Sequence, residues 1–190
     1  VDMALNPLFE LNTADLNYFL KALEQLKKNV PIQYVIGKTQ FYGIPILVSE
    51  QVLIPRPETE ELVDWILEDL KNKTDQKLLD IGTGSGCIPI AILKNTSNVE
   101  FHATDISNDA LEIATKNATM NEAQVHFFQS DILKTKGLAA SYDLIVSNPP
   151  YVLQSEKAAM KENVLKYEPH RALFVPNSDP LVFYRKIGEI

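Results

Sequence analysis

The segment LDIGTGSG, residues 79–86, places three glycines at alternate positions, the first of them two residues after the acidic Asp80. Glycine tolerates positive φ and lets backbone approach a ligand closely, so a glycine loop after a strand can hold a nucleotide-like molecule. A phosphate-binding P-loop would continue with lysine and serine or threonine, whereas Cys87 and Ile88 follow Gly86. The dinucleotide fingerprint G-x-G-x-x-G is spaced differently, which makes a nicotinamide cofactor less favoured.

Two acids, Asp105 and Asp131, end the next two β-rich segments of the chain. At the carboxyl end of a strand, a carboxylate can accept hydrogen bonds from a ribose diol. A single acid in such a place is more often a cap, and Asp105 stands just before a helix start at residues 107–109. The two acids together, following the glycine loop, favour an adenosine pocket.

The segment SNPPY, residues 147–151, follows the strand-like run YDLIV. A simple chain reversal would use glycine or aspartate more readily than two consecutive prolines. The motif is therefore either a rigid exit from the strand or a binding motif.

Alternating strands and helices must position these residues. Strand patterns cover KLLDI, VEFHATD, QVHFFQ and DLIV, and helical patterns cover IPIAILKN and DALEIATKNATM. This alternation predicts a parallel sheet with right-handed crossovers. In such a sheet, ligands bind at the carboxyl ends of the strands, where the glycine loop and the acids lie.

A smaller unit precedes this α/β pattern. Residues 14–29 carry apolar side chains at helical spacing and predict one amphipathic helix. Two β-rich runs, QFYGIPILV and QVLI, predict a hairpin that turns at Ser49 and Glu50. A further helix starts near Glu60, and the prolines at residues 55–58 mark the predicted boundary.

The composition narrows the class of protein. A chain of 190 residues, 45% of them hydrophobic, can bury one good core. Its net charge of −7 argues against sequence-independent binding of nucleic acid, and no apolar run reaches the roughly 20 residues that span a bilayer.

The single cysteine and the lack of a signal-peptide pattern predict a cytoplasmic protein. The three histidines show no metal-ligand spacing, so we expect no metal.

The motifs LDIGTGSG, TDIS, SDI and VSNPPY, in this order, resemble those of class I S-adenosylmethionine-dependent methyltransferases. The stretches PIQYVIGKTQFYG, LIPRPETEELV and YEPHRALF narrow the resemblance to the protein-(glutamine-N5) methyltransferases of peptide chain release factors, the HemK/PrmC family. The matching motifs run from Pro31 to about Phe174, which is most of the chain.

The resemblance implies a Rossmann-like α/β fold with a mostly parallel sheet, preceded by a small helical segment and a β-hairpin. Residues 1–38 would be the remnant of an N-terminal helical substrate-binding domain, and residues 39–56 a linking hairpin. Residues 57–190 would be the S-adenosylmethionine-binding methyltransferase domain. The family usually has a longer helical domain and seven strands, so we expect a sheet that is incomplete at the C-terminus.

The resemblance also implies the site residues. S-adenosylmethionine would contact Asp80, Gly82, Thr83, Gly84, Ser85, Gly86, Asp105, Asp131, Ile132 and Asn148. The protein substrate would contact Asn148, Pro149, Pro150, Tyr151, Arg56 and Thr59. Alternatively, Thr59 or Glu58 only caps the helix that follows.

Asn148, Pro149 and Tyr151 are implied to form the catalytic group. A carboxamide nitrogen is a poor nucleophile because its lone pair is delocalised, so its N–H groups must be held and the nitrogen aimed. Asn148 offers its side-chain oxygen, and Pro149 its carbonyl oxygen, fixed by the restricted φ of two prolines. Tyr151 would pack against the substrate. These acceptors would stabilise the positive charge that moves to nitrogen during transfer.

Other functions stay open at this point. Asn-Pro-Pro-Tyr also occurs in adenine-N6 methyltransferases of DNA, and a ribosomal-protein glutamine could replace the release factor. A non-catalytic nucleotide-binding module would not need amide-directed acceptors. A nicotinamide oxidoreductase is disfavoured by Cys87, which stands where the third glycine of the dinucleotide fingerprint would fall. We expect a protein substrate such as a class I release factor, no stable nucleic-acid or membrane partner, and a monomer.

Overall fold

The computed structural model describes residues 12–97 and 99–190, so residues 1–11 of the predicted N-terminal unit lie outside the described residues. The helices are α1 (Thr13–Lys27), α2 (Ile32–Ile36), α3 (Glu58–Leu70), α4 (Cys87–Asn95), α5 (Asn108–Met120), α6 (Glu162–Tyr167) and α7 (Val182–Gly188). The strands are β1 (Lys38–Phe41), β2 (Ile44–Leu47), β3 (Gln76–Ile81), β4 (Val99–Asp105), β5 (Val125–Gln129), β6 (Leu144–Ser147), β7 (Val152–Leu153) and β8 (Phe174–Val175).

A parallel sheet of β3, β4, β5 and β6 forms the centre of the fold. Its strand order is β5-β4-β3-β6, so the chain moves outward from β3 to β5 and then returns to the other side of β3. The sheet confirms the predicted α/β fold, and β4 spans the whole of the predicted segment VEFHATD. Within the described residues, β5 and β6 form the two edges of this sheet.

Alternation along the strands directs side chains to the two faces of the sheet. On one face, Leu78, Phe101 and Val146 are buried in the larger core, together with apolar residues of α3, α4 and α5. On the other face, Leu79 and Ile81 form a smaller cluster with residues of α7. The two cores hold the carboxyl ends of the strands in fixed positions.

Local signals set the helix starts. Ser107 caps α5, where its hydroxyl accepts the Ala110 N–H at 3.4 Å. Helix α3 begins after Pro57 and carries glutamates in its first turn, which the helix dipole favours. No side chain caps α3, so the alternative role of Thr59 or Glu58 as a cap is wrong.

The hairpin before α3 differs from its prediction. Strands β1 and β2 pair antiparallel around Tyr42 and Gly43, whose φ angles are 52° and 71°. Two left-handed residues make the tight turn that suits the twist of a hairpin, and Glu60 accepts the Tyr42 N–H at 2.8 Å. A turn is present at Ser49 and Glu50, where the Val52 N–H donates to the Ser49 carbonyl oxygen at 3.1 Å, but QVLI is not a strand, so the predicted hairpin across this turn is wrong. The hairpin spans residues 38–47 rather than 39–56 because the Tyr-Gly pair reverses the chain earlier.

Helix α1 confirms the predicted helix in place and length, but none of its residues is buried. The apolar stripe of α1 is exposed at Leu16, Phe19, Leu20, Leu23 and Leu26. No helix in the described ranges is both long and apolar enough to cross a membrane.

Candidate functional site

A cavity of about 230 Å³ opens beside the carboxyl ends of β3, β4 and β6. It lies where the strand order reverses around β3, the position at which open parallel sheets bind ligands. The fold brings eight predicted site residues onto its walls: Gly82, Gly84, Asp105, Asp131, Ile132, Asn148, Pro149 and Pro150.

The glycine loop presents open backbone to this cavity. Gly82 and Gly84 have φ angles of 76° and 55°, and no atom lies within 4 Å of the position that a Cβ would take. A Cβ on Gly86 would instead lie 3.1 Å from the Cβ of Ala114, so this glycine allows α4 to pack closely on α5. A ligand can therefore rest on Gly82 and Gly84, while Gly86 serves the packing behind them.

Asp80, at the end of β3 before the loop, is buried, and so are the loop residues Thr83 and Ser85. Neither carboxylate oxygen of Asp80 makes a hydrogen bond of acceptable geometry, and the same holds for the Thr83 hydroxyl. Burial raises the pKa of Asp80 from 3.8 to about 7, an effect that the nearby Thr83 hydroxyl opposes and the charge of Asp105 increases. An acid without a partner beside a ligand-binding loop indicates a functional position.

Asp105 connects the end of β4 to the glycine loop. Its Oδ2 atom accepts the Gly84 N–H, and its Oδ1 atom accepts the Ser107 N–H, both at 2.9 Å. These bonds fix the carboxylate at the cavity wall, and each oxygen keeps a further lone pair for a hydroxyl group. The side chain thus both supports the turn into α5 and faces the cavity.

Asp131 lies on the same wall within a charged turn. Its Oδ2 atom is 2.9 Å from the Lys134 ammonium, and its Oδ1 atom accepts the Leu133 N–H at 3.1 Å. Lys134 lowers the pKa of Asp131, so this acid stays ionised at neutral pH. The neighbouring Ile132 is 8% exposed and, with Ile106, gives the cavity an apolar wall.

Asn148 is oriented by a residue far away in the sequence. Its Nδ2 atom donates a hydrogen bond to the hydroxyl oxygen of Thr59 at 3.1 Å. The amide nitrogen is thereby directed to α3, and the Oδ1 atom is left as the acceptor for a ligand. Thr59 is 8% exposed and does not line the cavity, so its connection to the cavity is indirect, through Asn148.

Tyr151 and Arg56 also lie away from the cavity wall. The Tyr151 side chain is 61% exposed and follows the lining residues Pro149 and Pro150. Arg56 forms an ion pair of 2.6 Å with Glu168, a residue of the YEPHRALF motif whose side chain is 2% exposed. The structure thus joins two motifs that are distant in sequence.

Several contributors were not identified from the sequence. The cavity is also lined by Gln51, Val52, Leu53, Ile106, Arg171 and Phe183. Arg171 lies in YEPHRALF, so that motif was the available signal for it, as for Glu168. Phe183 is in α7, where no pattern distinguished it from other apolar residues.

Asn117 is a further residue that the sequence did not indicate. It lies on α5 and is fully buried. Its side chain accepts the Leu47 N–H at 2.7 Å and donates to the carbonyl oxygens of Leu47 and Ser85 at 3.0 and 2.9 Å. Asn117 therefore ties the hairpin to the glycine loop.

The residues present fit a nucleoside-bearing cofactor such as S-adenosylmethionine. At Gly82 and Gly84 a ligand can approach the backbone closely, and Asp105 provides a carboxylate that is held in place at the end of a strand. Ile132 supplies apolar surface for a base, and the buried Asp80 carboxylate lies at the end of β3 before the loop. Asn148 lines the same cavity, and its Oδ1 atom is left as an acceptor.

The chain is similar to known methyltransferases in sequence. A family model described as "Methyltransferase small domain" matches residues 61–171. The release factor glutamine methyltransferase of Flavobacterium psychrophilum is 50% identical over 193 residues, which cover 100% of this chain and 68% of the relative. The enzyme of Bacteroides thetaiotaomicron is 52% identical, over 87% of this chain and 59% of the relative. The enzyme of Lactococcus lactis is 43% identical, over 95% of this chain and 65% of the relative. This chain thus spans about two thirds or less of the length of these relatives.

Two solved structures resemble the fold. The hMettl16 catalytic domain, in complex with a 3′UTR hairpin, has a TM-score of 0.62 at 21% identity and covers 83% of this chain and 61% of that chain. A Pyrococcus abyssi tRNA (uracil-54, C5)-methyltransferase in complex with S-adenosyl-L-homocysteine has a TM-score of 0.50 at 18% identity. The match covers 80% of this chain and 37% of that chain. At such identities these structures show the fold alone.

The fold and the sequence lead to the same family. The parallel sheet with its cavity around β3 is that of class I methyltransferases, and the family model covers more than half of the chain. The Flavobacterium relative aligns along the whole chain at half identity. The chain belongs to the release factor glutamine methyltransferase family.

Proposed function

We propose that this protein transfers a methyl group from S-adenosylmethionine to the side-chain amide nitrogen, N5, of a glutamine in a peptide chain release factor. The observation that carries the proposal is the orientation of Asn148. Its amide nitrogen is held by Thr59, and it shares one cavity with the glycine loop and Asp105. A cofactor surface and an acceptor for an amide N–H thus meet in one place.

The cofactor side of the cavity would be formed by the glycine loop, Asp105 and Ile132. When bound, S-adenosylmethionine supplies an electrophilic methyl group on a sulfonium. Asp105 would accept hydrogen bonds from the ribose hydroxyls, since its oxygens keep free lone pairs beside their bonds to Gly84 and Ser107. The acidic groups around this wall suit a ligand whose reactive centre is cationic.

The substrate side would be formed by Asn148 and Pro149. The Oδ1 atom of Asn148 and the carbonyl oxygen of Pro149 would accept the two N–H groups of the glutamine amide. Held in this way, the nitrogen is aimed at the methyl group, which lowers the entropic part of the barrier. The acceptors also stabilise the positive charge that the nitrogen gains as the methyl group leaves the sulfonium sulfur, more in the transition state than in the ground state. One N–H proton then passes to solvent, so that the product is a neutral N-methyl amide.

Thr59 supports this role of Asn148 from α3. With its nitrogen bonded to Thr59, the amide of Asn148 cannot rotate to present N–H groups to the substrate without losing that bond. A donor facing the glutamine N–H groups would repel them. Thr59 is therefore proposed as a positioning residue, in place of the direct substrate contact inferred from the sequence.

Tyr151 and Arg56 have different proposed roles. The exposed ring of Tyr151, next to the cavity, is available to pack against the protein substrate. Arg56 would act through its ion pair with Glu168, which holds the proline-bearing stretch against YEPHRALF. We also propose that residues 1–38 contribute to substrate binding, residues 57–190 form the methyltransferase domain, and the enzyme works as a monomer in the cytoplasm.

The proposal favours a protein substrate over a nucleic acid. The net charge is −7, whereas grip on a phosphate backbone requires clustered lysine and arginine. A module that only binds nucleotides has no use for an amide acceptor held as in Asn148.

Acceptor specificity tests the proposal. We would supply methyl-labelled S-adenosylmethionine with a class I release factor, with the same factor lacking the acceptor glutamine, with ribosomal protein, and with an adenine-containing DNA duplex. Label in the intact release factor alone is expected. Label in DNA or ribosomal protein, with none in the release factor, would overturn the assignment.

A further inference from the structure

A cluster of potential metal ligands lies on the sheet face outside the cavity. His102 on β4 stands directly opposite His126 on β5 in the parallel register, so both imidazoles project to one face. Glu100 precedes His102 by two residues on the same strand and therefore shares that face. Among residues 12–97 and 99–190, this is the one group of three or more such side chains whose ligand atoms converge.

The distances are those of side chains that need little movement to share an ion. One ligand atom from each of Glu100, His102 and His126 lies within 4.8 Å of the others. The Nε2 atom of His102 is 2.6 Å from Oε1 of Glu100, and the two imidazole centroids are 5.0 Å apart. The cluster is also accessible, because Glu100 and His126 are exposed.

A fourth residue fixes the chemistry of His102. The hydroxyl of Tyr142 lies 3.0 Å from Nδ1 of His102. In the ion-free protein the Nε2–H of His102 donates to Glu100, because a carboxylate only accepts, and the Tyr142 hydroxyl donates to Nδ1. When an ion binds Nε2, the imidazole proton lies on Nδ1 instead and is donated to the Tyr142 hydroxyl oxygen. A metal-bound histidine commonly has such a partner on its other nitrogen, which sets the tautomer and the ring orientation.

We propose that Glu100, His102 and His126 form a zinc site that joins β4 to the edge strand β5. Two neutral imidazoles and one carboxylate are a donor set that suits Zn²⁺, with a fourth position left for water. Lys77 now pairs with the same Oε1 atom of Glu100 at 2.9 Å. Both partners of that pair are partly exposed, so an entering ion can replace the ammonium at low cost.

The site is separate from methyl transfer. None of its three ligands lines the cavity, and His102 is three residues from Asp105 along β4, about 10 Å at strand spacing. Its expected effect is on stability, because an ion bound only by the folded chain shifts the equilibrium to that state. Sequence spacing did not indicate it, since the set forms only when β4 and β5 pair.

Isothermal titration of the purified, metal-free protein with Zn²⁺ at about pH 7.5, above the ordinary imidazole pKa, tests the site. The wild-type protein is expected to bind one Zn²⁺, and His126→Asn to bind it at least about tenfold more weakly. His170→Asn is the matched control, because His170 lies outside the cluster and should leave binding unchanged.

A thermal melt separates a site from nonspecific binding. Zn²⁺ is expected to raise the melting temperature of the wild-type protein and of His170→Asn, but not that of His126→Asn. Because His126 is exposed, its substitution leaves the fold intact. Absence of Zn²⁺ binding by the wild-type protein, or equal binding by His126→Asn, would overturn the proposal.

Discussion

At the scale of single residues, the hydrogen bond between Thr59 and Asn148 determines which atom of the Asn148 amide is left as an acceptor at the cavity. Thr59→Val keeps the shape of the side chain but removes the acceptor. A hydrogen bond of this kind contributes about 1 kcal/mol, so we expect kcat to fall about five- to tenfold. The KM for S-adenosylmethionine should not change, because Thr59 does not line the cavity. Steady-state kinetics with a release factor would measure both constants.

Thr59→Ser is the matched control for this prediction. It keeps the hydroxyl oxygen and should restore most of the lost kcat. If Thr59→Val and Thr59→Ser are equally impaired, the effect comes from packing and not from the orientation of Asn148.

The sequence predicted the site residues that lie in contiguous motifs. Gly82, Gly84, Asp105 and Asn148 each end or follow a strand, and the order of strands fixes where such positions meet. Thr59 could be named from its motif, but its hydrogen bond to Asn148 could not be predicted, since the two residues are 89 positions apart. Asn117 could not be found, because a buried asparagine in a helix has no sequence pattern until the hairpin and the glycine loop are in place.

At the scale of elements, the proline-bearing stretch before α3 is joined to the YEPHRALF segment by one buried carboxylate. Glu168 is 4% exposed as a residue, pairs with Arg56 at 2.6 Å and accepts the Ile54 N–H at 3.3 Å. Arg56→Ala would leave this carboxylate buried without its counter-charge. Removing one partner of a fully buried ion pair lowers the free energy of unfolding by about 3–5 kcal/mol. Because the Arg56 side chain is about a third exposed, we expect Arg56→Ala to lower it by about 2 kcal/mol.

Urea unfolding would measure that change in the free energy of unfolding. The exposed pair of Lys27 and Glu24, at 3.0 Å, provides the control, since Lys27→Ala should cost less than about 0.5 kcal/mol. Equal costs for Arg56→Ala and Lys27→Ala would contradict a structural role for the buried pair.

The strands and helices of the α/β part were predicted closely because their apolar periodicity and their turn residues agree. The hairpin was predicted in the wrong place because Tyr42 is an unusual residue at a left-handed position. Its conformation depends on the bond from its N–H to Glu60 of α3, and that contact is tertiary. The sequence pattern therefore could not show where the chain would turn.

At the scale of the whole molecule, Asp80 links stability to pH. Its pKa is about 7 in the folded protein and about 3.8 when unfolded, so between these values the folded state binds more protons. The free energy of unfolding should therefore fall as pH rises from about 4 to about 7 and should stay low above that range. The rise in pKa corresponds to at most about 4 kcal/mol.

Asp80→Asn cannot ionise and should lose this part of the pH dependence. Urea unfolding at about pH 5 and about pH 8 would give the difference in stability for wild type and variant. Asp69→Asn, a change of the same type at an exposed position, serves as the control and should keep the wild-type difference. An unchanged pH dependence in Asp80→Asn would contradict the raised pKa.

Mass spectrometry of a release factor directly tests whether this protein methylates a glutamine side chain. The release factor would be incubated with S-adenosylmethionine and either the wild-type protein or Asn148→Ala, and its peptides sequenced. We predict the mass gain of a single methyl group on one glutamine side chain with the wild-type protein, and none with Asn148→Ala although that variant still binds the cofactor. A methyl group on another residue, or equal methylation by Asn148→Ala, would contradict the account.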